Sequence, residues 1–104
     1  MREEIRQRFI HAARAGEVIF YQDLGIGRGK VLGQILSDVS EYEHDKGRPL
    51  LSAIAVSKVK GMPNEGFWDI APVPHGLPNK QRPVYWAREL MKVIDGWQRH
   101  PEWK

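Results

Sequence analysis

Arg28, Lys30, Gln34, Ser37, Arg48, Lys58 and Lys60 are the side chains whose types and spacing point most directly to a chemistry, and that chemistry is the binding of an anionic polymer. The cations among them fall at the ends of predicted segments. The acids Asp38, Glu41, Glu43 and Asp45 instead crowd the second half of one predicted helix. A net charge of +3 is modest, so the distribution of charge carries more than its total. The run Gly25-Ile-Gly-Arg-Gly-Lys has the glycine content of a phosphate cradle. It lacks both the glycine spacing and the Ser or Thr after lysine that a P-loop uses to hold magnesium, so it reads as a tight turn and no nucleotide cofactor is expected.

Catalytic constellations are sparse. There is no cysteine, which excludes thiolate nucleophiles, thiolate metal ligands and disulfides and leaves packing alone to hold the fold. His44, Asn64 and His75 follow the order of an HNH-type nuclease, in which one histidine activates water and another helps hold a metal. The last histidine of such a site belongs on a helix, whereas His75 sits between Pro74 and Gly76. His11 and His100 read as surface residues, and no His-x-x-x-His pair marks zinc. A non-enzymatic protein is therefore expected, without metal or cofactor, and a nuclease is the third choice.

The elements that would position the cations follow from periodicity. Ile5, Phe9, Ala12 and Ala13 line one face of a helix over residues 2–14, which Gly16 stops. Residues 17–20 make a short apolar strand, and residues 21–24 one helical turn before Gly25 and Gly27 break the chain. Leu32, Ile35, Leu36, Val39 and Tyr42 mark the clearest helix, residues 30–43, ended by Gly47-Arg-Pro. Residues 50–58, rich in apolar and β-branched side chains, predict a strand. Residues 60–66 supply turn residues, and residues 67–70 the antiparallel partner strand. Residues 71–83 hold four prolines and predict a crossing loop. Trp86, Leu90, Val93 and Trp97 mark a final helix packed on the first. Trp68, Trp86 and Trp97 fit core positions, while Trp103 has no evident partner within the domain.

Helix, short strand, short helix, glycine turn, long helix, strand, basic tip, strand is the order of a winged helix-turn-helix. The expected fold is thus α+β, a single winged-helix domain over residues 1–104 with an additional C-terminal helix. In such a domain the long helix presents its N-terminal turns to the major groove while the hairpin lies over adjacent backbone. Arg28 and Lys30 would meet phosphate at the helix N-terminus, Gln34 and Ser37 would lie nearest the bases, and Arg48, Lys58 and Lys60 would stand at the wing.

Residues 18–36 resemble the helix-turn-helix of the alkylguanine alkyltransferase and alkyltransferase-like proteins, with Tyr21, Leu24, Gly27, Leu32-Gly33 and Leu36 in comparable order. The resemblance covers about a fifth of the chain. The Pro-Cys-His-Arg segment of that family is missing, which rules out alkyl transfer. Residues 47–67 are similar to a Gly-x-Pro-Leu-Ser/Thr-Ala…Lys-x-x-Gly-x-Pro-x-x-Gly-Phe pattern of small uncharacterised bacterial proteins, a likeness that implies no activity.

At 104 residues the chain suits one domain with its own core. Its apolar runs fall far short of the ~20 residues of a membrane span, and nothing at the start resembles a signal peptide. A cytoplasmic bacterial or phage protein that binds double-stranded DNA without catalysis is the first expectation. The second is a protein-interaction module that binds or inhibits a partner in a nucleic-acid machine.

Overall fold

Glu3 and Glu4 occupy the first turn of helix α1 (Glu3–Ala15), where the helix dipole favours negative charge. Gly16 ends the helix at φ +71°, with its N–H returned to the carbonyls of Ala12 and Ala13. The computed structural model describes residues 1–27 and 29–104. After α1 come strand β1 (Ile19–Phe20), a 3-10 turn (Tyr21–Leu24) and helix α2 (Lys30–Asp45). A second 3-10 turn (Leu51–Ile54), strand β2 (Ala55–Val56) and the single-turn helix α3 (Glu65–Trp68) follow. A third 3-10 turn (Asn79–Gln81) leads into α4 (Arg82–Arg99), which carries Pro83 in its first turn. The fold is α+β, with four helices and a two-stranded sheet among the described residues.

The sheet differs from the one expected. β1 and β2 pair in parallel, Ile19 opposite Ala55 and Phe20 opposite Val56. No antiparallel hairpin links residues 50–58 to 67–70 among the described residues, so the predicted wing is absent. The reason lies in burial: every residue from Leu50 to Ser57 is buried, so the run has no solvent face of the kind an alternating strand presents. It threads the centre of the molecule, against α1, α2 and α4. Ahead of β2, side chains satisfy its backbone in place of a strand partner. Leu50 N–H donates to Glu89 Oε1 at 3.0 Å, Ser52 N–H to Ser40 Oγ at 3.2 Å, and the Ala53 carbonyl accepts from Trp86 Nε1 at 2.9 Å.

Residues 67 and 68, the start of the expected partner strand, lie instead in the helical turn α3, which begins at Glu65 within the expected turn. Asn64 is extended, its carbonyl accepts the Phe67 N–H at 3.0 Å, and Glu65 follows in the first turn, a common way for a helix to begin. The turn buries Phe67 and Trp68, which meet edge to face at 5.0 Å. α3 packs on α2 with Gly66 facing Gly33: a Cβ on Gly66 would sit 4.0 Å from Gly33 Cα, an ordinary contact.

The expected packing of the last helix on the first is present, with α4 lying along α1 and Val93 and Trp97 fully buried. Trp103, for which the sequence offered no partner, folds back onto this pair. Its ring meets Trp97 edge to face at 5.2 Å and stacks on His100 at 4.4 Å. No helix is long and apolar enough to cross a membrane among the described residues.

Candidate nucleic-acid interface

α2 begins at Gly29, whose φ of +92° and ψ of −141° suit glycine alone. No side chain caps the helix and no acid lies in its first turn. Gly33 N–H donates to the Gly29 carbonyl at 3.0 Å, and the positive end of the helix dipole lies at this end. Lys30, exposed, stands at this end, and Arg28 lies outside the described residues.

Beside it opens a cleft of about 440 Å³, walled by Tyr21, Ile26, Leu32 and Val59 and edged by Gln22 and Asn64. A recess of about 290 Å³ adjoins it along Gly29, Gly33 and Gly66; Tyr21, Leu32, Lys60 and Asn64 border both. The Tyr21 hydroxyl accepts the Asn64 N–H at 3.2 Å, tying the loop that leads into α3 to the turn before α2. Burial raises the Tyr21 pKa, and that hydrogen bond partly opposes the shift.

The structure sorts the predicted cations into two groups. Lys60 is exposed on the rim of the cleft, and neither it nor Lys30 has an ion-pair partner among the described residues. Lys58, exposed on the same loop, reaches Asp23 Oδ1 at 3.3 Å, and its own N–H donates to Gln22 Oε1 at 3.3 Å. Gln34 is exposed and donates to Asp38 Oδ1 at 2.7 Å; Ser37, half-buried, donates to Glu41 at 3.4 Å. Both polar residues point along α2 toward its acids.

Arg48 does not stand at a wing. Its side chain is 9% exposed, and its Nη2 donates to Glu43 Oε2 at 2.8 Å while its guanidinium lies over the Trp97 ring at 5.3 Å. Glu43 is fully buried, and its other oxygen accepts from Arg6 Nη2 at 3.2 Å, where Arg6 is itself 2% exposed. Arg6 also donates to Glu3 and to the Lys104 carbonyl, both at 2.7 Å. This arginine–glutamate–arginine cluster ties α1, the end of α2 and the last residues together, and its charge is used internally. Sequence reading missed Arg6 and Glu43, although the signal was present: Arg6, Ile10 and Ala13 share a face of α1, and Glu43 continues the Leu36–Val39 face of α2. A charge on an apolar face implies a buried counter-charge.

The nuclease triad is not assembled. Asn64 borders the recess beside the N-terminal half of α2, whereas His44 lies in that helix's last turn, about 12 Å along the axis beyond Leu36, against Ala71 and Pro72. His75 is exposed in the proline-rich loop. Among the described residues no group of three or more His, Asp or Glu could hold a metal ion.

No protein family, curated protein or solved structure matches the chain. Function therefore rests on the geometry just described.

Proposed function

We propose that the protein binds duplex DNA, without catalysis, through the N-terminal end of α2 and the loop of residues 57–64. The observation that carries this reading is Lys30 and Lys60, both exposed and neither with an ion-pair partner among the described residues, beside a helix N-terminus with no side-chain cap and no acid in its first turn. The helix dipole and two lysines together favour phosphate. The helix-turn-helix half of a winged helix is retained in this reading, as the Tyr21–Leu24 turn, the glycine-rich connection and α2. The compact 57–62 turn takes the place of a hairpin wing. Arg48 drops out of the interface and Lys58 contributes less than Lys60, because Asp23 already partners it. Gln34 remains exposed for a base edge.

The test is anisotropy against random duplex and single-stranded DNA over a salt series. Each neutralised phosphate adds about −0.9 to the slope of log K against log salt, so Lys30→Ala with Lys60→Ala should flatten that slope by about 2. Lys58→Ala should change it less. Absence of any binding at about 50 mM salt would sink the reading.

One observation favours a protein partner instead. Val84 and Met91, two turns apart on α4, are 53% and 65% exposed on a helix whose other side is core. A protein-interaction module is the reading that stands if DNA binding fails.

A further inference from the structure

Val59 is the most exposed large apolar side chain among the described residues, at 87%. On a loose loop that exposure would mean little. Here the turn is built to present it. Ser57, buried, accepts the N–H groups of Val59 and Lys60 on its Oγ at 3.2 and 3.4 Å, and that of Gly61 on its carbonyl at 2.8 Å. Its own N–H donates to the Met62 carbonyl at 3.0 Å, and Gly61 takes the φ of +67° that closes the loop. Gln22 holds Lys58 from the side. The result is a rigid tip reading Lys-Val-Lys, with a β-branched side chain of restricted χ1 at its apex, on the rim of the same cleft that α2 borders.

Resting on the DNA reading above, we propose that this tip is an apolar wedge: Val59 enters between bases while Lys60, and Lys58 on exchanging its Asp23 partner, meet the phosphates on either side. Apolar side chains flanked by cations open base steps in this way, and the cost is least at flexible pyrimidine–purine steps. Because the turn is already ordered, little conformational freedom is lost on insertion. Valine is short, so the wedge is shallow: it opens one step without forcing a large bend. The expected ligand is duplex DNA containing TA or CA/TG steps, in preference to stiff A-tracts.

The experiment uses the full chain and duplexes carrying 2-aminopurine at a TA step, with anisotropy and 2-aminopurine emission read on the same samples. The parent protein should raise the emission as the step opens. Val59→Ser, which keeps every charge and alters a side chain outside the core, should bind roughly tenfold more weakly, with an unchanged salt slope and flat emission. Ser57→Ala, which loosens the turn, should fall between the two. A parent that binds with a lysine-dependent slope yet leaves the emission flat, or a Val59→Ser protein that binds like the parent, overturns the wedge and leaves the DNA reading standing. A parent that binds no DNA overturns both.

Discussion

Gly96 and Trp103 interlock: a Cβ on Gly96 would lie 2.8 Å from Cζ3 of the Trp103 indole, closer than carbon atoms approach. Glycine inside a helix ordinarily weakens it, so Gly96→Ala would be expected to gain up to about 1 kcal/mol in helix propensity. Here the added methyl must push Trp103 off Trp97 and His100. The expected outcome is a lower melting temperature together with red-shifted tryptophan emission. A variant that melts higher with unchanged emission would show that Trp103 is not seated on α4.

Glu43 is the carboxylate that the Arg6 and Arg48 guanidiniums share, and Arg6 and Glu43 are both buried. Glu43→Gln keeps the shape and removes the charge, leaving Arg48 without its carboxylate and Arg6 with only the exposed Glu3. A loss of about 3–5 kcal/mol in urea unfolding is expected, a large part of a small domain's stability. Since the cluster lies away from the α2 N-terminus, DNA binding by the folded fraction should be unchanged.

Trp86 is half-buried, and its indole N–H is the partner of the buried Ala53 carbonyl. Trp86→Phe retains much of the packing and leaves that carbonyl without a donor. The change should cost about 1–3 kcal/mol, measurable as a lower urea midpoint with an unaltered slope.

Alkaline stability should report on Tyr21. Its folded pKa is raised above the ordinary value of 10.0, first by burial, so its contribution is fully present below pH 10.0 and is lost as pH climbs from there through the folded pKa. Tyr85, raised by burial and then by Glu89, adds to the same limb. Tyr21→Phe should flatten the fall in stability above pH 10.0, followed by circular dichroism alongside tyrosinate absorbance. An identical fall in the variant would mean that Tyr21 is solvated in the folded protein.

The three long helices, α1, α2 and α4, were legible because their signals are local. The Ile5–Phe9 spacing with Gly16 behind it and the Leu32–Val39 stripe each resolve into a helix within two residues of the expected ends, and the Trp86–Trp97 series falls within α4. The central run was not legible, because residues 50–57 have β-branched and apolar composition whether they pair with a neighbour or are enclosed by three helices, and only tertiary packing decides. The same blindness moved Arg48 from surface to interior: its partner Glu43 lies five residues away, but the second guanidinium, Arg6, comes from the other end of the chain. The candidate site was legible where it depends on backbone: glycines before α2, lysines at its start and on the following loop. The cleft itself, made where residues 21–27 meet residues 57–64, has no local signature.

Parallel pairing also sets the order in which this molecule can assemble. Ile19 and Ala55 are joined by an entire helix and two turns, so the two strands cannot zip from a hairpin. α2 must first collapse to bring them within reach, and closing that long loop is slow relative to helix formation. The sheet is thus a late event, and the floor of the cleft, which hangs on β2 through Ser57, is completed only at the end of folding.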